Sequence, residues 1–175
     1  SHLFSVTGIY IRGVDNSVAD SLSRLFPSSH EMTLTLATFL SVCRRFGVPS
    51  VDLFVTKQNA QVRAFVSRRA ERGTVGMDAI SCPWPVGLLY AFPPFPLVPR
   101  LLSRQLGEDR EIILVVSFWL RRPWFASLRS MTVGSHWLIP LFPLPLRSTS
   151  MFLSRQLQLS VWRLKGGVCG AEVST

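Results

Sequence analysis

The sequence is poor in cysteine and histidine. Its three cysteines, Cys43, Cys82 and Cys169, are far apart and odd in number, so neither a disulfide framework nor a zinc pattern fits them. A reduced, intracellular setting, in the cytoplasm or the nucleus, is therefore expected. The three histidines have no metal-ligand spacing with one another or with the cysteines.

The sequence also lacks the signatures of two familiar enzyme classes. Val48-Pro49 before the first buried run and Thr56-Lys57 after it supply no glycine-rich loop, which a generic nucleotide-binding enzyme would need. Lys165-Gly166-Gly167 has no preceding glycine at the spacing of a phosphate loop. A serine hydrolase is supported by composition alone, because no nucleophile elbow is present.

Residues 79–99 contain no charged side chain, and this stretch is long enough to suggest a membrane helix. However, a spanning helix must satisfy its own backbone, and six prolines would remove several of its hydrogen bonds. We therefore expect no membrane association. The first residues lack the basic region and apolar core of a signal peptide, and without an initiating Met we expect the chain to start inside a longer protein.

The composition favours a folded domain with an anionic partner. Hydrophobic residues make up 47% of the 175 residues and charged residues 17%, which is enough apolar surface for a core. Nineteen Lys plus Arg against ten Asp plus Glu give a net charge of +9, and nucleic acid is the first partner to consider. Because the arginines are scattered, the charge predicts weak, charge-driven binding and no particular site.

Three apolar runs predict strands at residues 51–54, 88–92 and 111–117. A helix from about residue 96 to 106 separates the second run from the third, and the spacing predicts a right-handed βαβ unit. The last run is apolar on both faces, as an interior parallel strand should be. We therefore expect the second and third runs to be adjacent parallel strands.

The other segments are less regular. Helices are predicted at about residues 29–46 and 123–131, whereas residues 61–69 fit either a short helix or an irregular segment. Gly73 and Gly76 are predicted to mark turns. Residues 136–175 are broken by prolines and predict an irregular tail, with one strand near residues 157–164.

The second run stops at Pro93-Pro94, because proline cannot donate to a sheet ladder and restricts the residue before it. Phe92 and Phe95 are then placed at the carboxyl edge of a sheet, where open α/β folds bind ligands. The alternative is a buried strand followed by a proline-rich loop without a function.

The segment Asn16-Ser17-Val18-Ala19-Asp20-Ser21-Leu22-Ser23-Arg24 resembles the end of the ribonuclease H domain of retroelement polyproteins. Tyr10 and Arg12 depart from the family's usual His and Pro. The resemblance implies that Asp20 is the last of four acidic ligands for magnesium. Its three partners would lie upstream of Ser1, so magnesium belongs only to the intact domain. This chain alone is expected not to cleave RNA.

A second resemblance covers about residues 31–128. Several short pieces, in matching order and spacing, resemble the phage-type DNA adenine methyltransferases and the methyltransferase-like segment that follows ribonuclease H in DIRS-type retroelements. The pieces are Val51-Asp52-Leu53-Phe54 with Asn59-Ala60, Asp78 with Pro83-Trp84, Tyr90-Ala91-Phe92-Pro93-Pro94-Phe95, and residues 113–116 with Pro123-Trp124-Phe125.

This second resemblance implies an α/β fold with a Rossmann-like, mostly parallel sheet, flanking helices and S-adenosylmethionine as cofactor. Active members have Asn or Asp before Pro-Pro to accept hydrogen bonds from the adenine amino group, and an aromatic residue stacks on the flipped base. Here Phe92 holds the polar position and cannot accept that bond. The degenerate motif is therefore Phe92, Pro93, Pro94 and Phe95, and the implied cofactor contacts are Asp52, Asn59 and Asp78.

Asp52 has a second interpretation, in which it is a strand-end acid that caps nearby amides. The two resemblances together predict a fragment of a retrotransposon polyprotein whose parent would carry reverse transcriptase and ribonuclease H. We expect a ribonuclease H remnant at residues 1–26, an inactive methyltransferase-like domain at 27–135 and a tail or linker at 136–175. The alternative function is a non-catalytic nucleic-acid-binding or tethering module between upstream and downstream polyprotein domains.

Overall fold

The structure is a computed structural model that describes residues 33–54, 62, 64–67, 74–141, 145–146 and 158–166. These residues form an α/β fold in which helices pack against a mixed sheet. The helices are α1 (Leu36–Phe46), α2 (Val98–Leu106) and α3 (Phe125–Met131), with a 3-10 turn at Phe95–Leu97 before α2. The strands are β1 (Val51–Asp52), β2 (Ala64–Ser67), β3 (Thr74–Met77), β4 (Leu89–Ala91), β5 (Glu111–Ser117), β6 (Trp137–Leu138) and β7 (Leu159–Lys165).

The seven described strands have the spatial order β3-β2-β1-β4-β5-β7-β6. The first five strands in this row are parallel to one another, whereas β7 runs antiparallel to both of its neighbours, β5 and β6. Tyr90 of β4 is in register with Ile113 of β5, and α2 connects the two strands in the chain. The predicted pair of adjacent parallel strands is therefore confirmed.

β5 is buried on both faces, as its unbroken apolar sequence predicts. Ile112, Leu114 and Val116 pack with α2 and α3 in one cluster, whereas Ile113 and Val115 pack with α1 in the other. The alternation follows from the two-residue period of a strand. Fully burying one such side chain contributes about 1.5–3 kcal/mol, so this strand holds the two layers together.

The first described helix is shorter than the predicted one. Thr33 to Thr35 precede α1, and Leu34 forms a β-bridge with Leu146. The Thr35 hydroxyl accepts a hydrogen bond from the Thr38 N–H at 3.4 Å and caps the helix. The helix therefore begins at Leu36, and the predicted residues before Thr33 lie outside the described part of the chain.

Two predictions between β1 and β4 are wrong. Both alternatives for residues 61–69, a short helix and an irregular segment, fail at residues 64–67, because Ala64–Ser67 pairs with β1 as a parallel strand. Gly76 lies in β3 and marks no turn; a Cβ at this position would stand 3.0 Å from the Cys82 Sγ. Both strands have only four residues, so neither shows a periodicity that sequence alone can recognise.

The sheet continues into the region that was expected to be an irregular tail or linker. Within the described residues beyond 135, β6 and β7 belong to the same sheet, and β7 pairs with all seven residues of β5. Trp162 and Leu164 of β7 are buried in the cluster beneath α2 and α3. The α/β unit therefore extends at least to Lys165. Within the described residues, no helix is long and apolar enough to cross a membrane.

Candidate nucleic-acid interface

The strand order reverses between β1 and β4. The chain turns from β1 to β2 and β3 on one side, whereas β4 and β5 lie on the other. In open α/β sheets, ligands bind at the carboxyl ends of the strands where this reversal occurs. Asp52 ends β1 at this place, and residues 92–95 follow β4. Two of the predicted site segments, Asp52 and residues 92–95, therefore lie at the same edge of the sheet.

Asp52 is a buried strand-end acid. Its side chain has no solvent exposure, and its Oδ1 accepts a hydrogen bond from the Phe54 N–H at 3.4 Å. Asp52 is in register with Tyr90 on the neighbouring strand. Burial, together with the negative charge of Asp52, raises the pKa of the Tyr90 hydroxyl well above its usual range. These contacts support the amide-capping interpretation of Asp52.

Phe92 is a core residue and not an open catalytic position. Its side chain is 1% exposed and lies in the cluster that contains Phe39, Tyr90 and Phe95. Pro93 and Pro94 are buried as well. The edge of β4 is thus closed by apolar side chains at the position that the resemblance assigns to a hydrogen-bond acceptor.

Phe95, the aromatic residue of the motif, is also mostly buried. Its ring packs against Trp119, with 5.2 Å between centroids and 51° between ring planes. Trp119 follows β5, so this contact joins the carboxyl ends of β4 and β5. Phe95 therefore forms part of the wall of a groove and is not a freely accessible stacking surface.

Asp78 follows β3 and lies two strands away from β1 in the sheet. Its Oδ1 accepts a hydrogen bond from the Ile80 N–H at 3.2 Å, and its Oδ2 accepts one from the Ser81 hydroxyl at 2.9 Å. The residue has a positive φ of 60°, which Asp tolerates in turns of this kind. The carboxylate therefore stabilises its own turn, and the described residues do not bring it together with Asp52 or Phe92.

The remaining predicted site residues, Asp20 and Asn59, lie outside the described residues. Nothing in the fold therefore bears on the predicted ribonuclease H remnant or on its metal ligand. Among the described residues, no group of three or more His, Cys, Asp and Glu side chains is arranged to hold a metal ion.

The described positions around which the resemblance implies S-adenosylmethionine contacts are apolar or already bonded. Leu53 and Phe54 after β1 are buried and apolar, and the Asp78 carboxylate is already bonded to its own turn. Phe92 closes the edge beside β4.

A groove lies between the first halves of α2 and α3, next to the Phe95–Trp119 contact. Its volume is about 620 Å³, within the usual range of ligand sites. Arg122 lies over the Trp119 ring at 5.3 Å, and Trp124 is half-buried in the wall. Its lining is Phe95, Pro96, Pro99, Ser103, Trp119, Arg122, Pro123, Trp124 and Ser127. Aromatic rings and arginine together are the side chains that hold nucleobases and phosphates.

The sequence prediction missed this groove. Two arginines, Arg121 and Arg122, stand between Trp119 and Trp124 directly after the clearest strand in the chain. From the sequence, only the helix that follows at about residues 123–131 is predicted here. The position of the two arginines after β5, next to the Pro-Pro edge of β4, was the signal that could have identified the groove.

Acidic side chains near β5 are confined to its amino end. Glu108 and Glu111 lie there in ion pairs with Arg104 and Arg163, and Lys165 is in register with Glu111. The sequence contains no acidic residue from 112 to 171, and Arg121 and Arg122 follow the carboxyl end of β5. The loop beside the groove therefore carries arginines and no carboxylate, which favours an anionic ligand. Comparison of the chain with protein-family models and with curated proteins found no match.

Proposed function

We propose that this chain is a piece of a retroelement polyprotein that carries a methyltransferase-like domain without methyl-transfer activity. In this proposal the domain serves as a nucleic-acid-binding module, and residues 1–26 are the remnant of a ribonuclease H domain. The observation that carries the binding role is the groove of tryptophan, phenylalanine and arginine at the carboxyl ends of β4 and β5, whose lining contains no acidic residue.

The sheet order supports a Rossmann-like assignment. β3-β2-β1-β4-β5 matches the first five positions of the doubly wound order, with the reversal at β1 and β4. The antiparallel β7 next to β5 is an addition to that order. The motif resemblance and the sheet order are independent of each other, because one rests on residue identities and the other on backbone pairing.

The chemistry at β4 argues against methyl transfer. S-adenosylmethionine, when bound by active relatives, supplies the methyl group. An adenine amino group becomes more nucleophilic when a polar side chain accepts its hydrogen bonds, and the buried ring of Phe92 offers no acceptor. Losing one hydrogen bond that strengthens in the transition state costs about 3 kcal/mol, or more than a hundredfold in rate.

Binding would use different residues. Arg121 and Arg122 would contact phosphates, while the half-buried ring of Trp124 would form the wall against which a base rests. The phosphate contacts and the base contact both use side chains that follow β5, and neither contact needs the closed edge of β4. Because every base has an aromatic face and every nucleotide a phosphate, this mode gives little sequence preference.

No methylation is expected from the chain as written. The measurement is incorporation of tritiated methyl groups from S-adenosylmethionine into unmethylated DNA, compared with heat-treated protein. Clear incorporation by the native chain would mean that Phe92 is not at the chemical centre, and the methyltransferase part of the proposal would be wrong.

Binding of single-stranded DNA is expected to depend steeply on salt. If Arg121 and Arg122 each contact one phosphate, the affinity should fall about sevenfold between about 50 mM and about 200 mM salt. The measurement is fluorescence anisotropy of a labelled oligonucleotide of about 12 nucleotides. An affinity that stays constant over this range would exclude charge-driven binding.

A further inference from the structure

A second cavity lies on the other side of α3. Its volume is about 520 Å³, and the side chains that matter here are Phe118, Arg129, Thr132, Ser135, His136 and Trp162. None of these residues belongs to a predicted site. The cavity is open to solvent, since Arg129, Ser135 and His136 are exposed. It therefore offers an accessible surface that combines aromatic rings, hydroxyl groups and a cation.

The three aromatic side chains of this cavity are nearly parallel. The rings of His136 and Trp162 are 4.3 Å apart at centroids and inclined by 15°, and Phe118 lies 5.4 Å from His136 at 19°. Trp162 is 3% exposed, so His136 is the accessible ring of the stack. Parallel rings at this spacing form a surface on which a further planar group can stack.

The base of the stack is held rigidly. The Trp162 Nε1 donates to the Ser160 Oγ at 2.8 Å, and the Ser160 hydroxyl donates to the Val116 carbonyl at 2.9 Å. Trp162 also lies in β7, opposite Leu114 of β5 in the centre of the sheet. A ring fixed in this way loses little conformational entropy when a ligand stacks above it.

The two cavities share the loop of residues 118–124, which joins β5 to α3. Phe118 and Leu120 line the second cavity, whereas Trp119, Arg122 and Trp124 line the first. One extended strand of nucleic acid that crosses this loop would meet aromatic rings on both sides of α3. The sequence supplies no acidic residue from 112 to 171 that would repel its phosphates.

We propose that the second cavity is a stacking site for a further base of the same single-stranded nucleic acid, with His136 as the stacking ring and Arg129 as the phosphate contact. This inference rests on the proposed nucleic-acid-binding function and adds a second place at which the protein contacts the bound strand. It commits to a single strand, because the bases of a duplex are already stacked on one another and do not present their faces.

The test compares Arg121→Gln/Arg122→Gln with four further variants by anisotropy, using a labelled oligonucleotide of about 12 nucleotides at about 50 mM salt. We expect His136→Ala to weaken binding about tenfold and His136→Phe, which keeps a flat ring, to stay within about twofold of the native chain. Arg129→Gln should weaken binding about eightfold. Arg44→Gln is the matched control, because Arg44 is an exposed arginine on α1, which packs on the opposite face of the sheet.

The outcomes separate this inference from the proposed function. If His136→Ala and Arg129→Gln bind like the native chain while Arg121→Gln/Arg122→Gln binds more weakly, the second site is overturned and the first stands. If His136→Phe loses as much affinity as His136→Ala, stacking is excluded. If the native chain does not bind, both proposals fail. Melting temperatures of the variants, measured by circular dichroism, check that each one is folded.

Discussion

Replacing Phe92 by Asn is expected to lower the free energy of unfolding by about 4 kcal/mol or more, without producing methyl transfer. Removing most of a buried aromatic side chain costs about 3–5 kcal/mol, because the surrounding residues collapse only partly into the space. Phe92 is 1% exposed and packs with Phe39, Tyr90 and Phe95. The amide would also be buried without a partner among these rings, which costs about a further 1–3 kcal/mol.

The experiment is urea unfolding followed by circular dichroism, with the tritiated-methyl assay on the folded fraction. Phe92→Leu is the control, since it keeps an apolar side chain at the site and is expected to cost less than about 2 kcal/mol. Phe92→Asn with native stability, or with clear methyl incorporation, would show that Phe92 stands at a polar, accessible position. That result would contradict the burial that the account depends on.

The unit of β4, α2 and β5 was predictable because its signals are local. The apolar run of β5 has the length of a strand, Pro93-Pro94 stops β4, and Gly107 follows the helix between them. The same signals correctly placed Phe92 and Phe95 after β4. They did not reveal that both side chains are buried, because burial depends on α1 and Trp119, which pack on them from distant parts of the chain.

The elements that the sequence did not predict depend on pairing between distant segments. β2 is a four-residue strand without a readable period, and only its pairing with β1 defines it. The position of β7 between β5 and β6 is a matter of sheet order, which hydrophobic patterns along the chain do not encode. The second cavity was missed for the same reason, since Trp162 joins Phe118 and His136 only through β7.

The second large effect concerns the arginines that follow β5. Arg121→Gln/Arg122→Gln is expected to weaken binding of single-stranded DNA by a factor on the order of 50 at about 50 mM salt, because each lost phosphate contact reduces affinity about eightfold under these conditions. Arg122 also lies over Trp119 in the wall of the first groove. The loss should shrink as salt rises, since counterion release then contributes less.

A matched control exists in the last turn of α1. Arg44→Gln/Arg45→Gln removes the same two charges from this helix, and Arg45 lies over the Trp137 ring at 4.4 Å much as Arg122 lies over Trp119. The two double variants therefore have the same net charge, and each removes one arginine–tryptophan contact. They differ in whether the cations are lost after β5, beside the groove, or at the end of α1, before β1.

The most direct test of the account is therefore the anisotropy titration of one labelled single strand with the native chain and these two double variants at the same salt concentration. If the groove is the binding site, we expect a large loss of affinity for Arg121→Gln/Arg122→Gln and a change of less than about threefold for Arg44→Gln/Arg45→Gln. Equal losses in both variants would mean that net charge alone attracts the nucleic acid. No loss in either variant would contradict the assignment of the groove after β4 and β5 as the binding site.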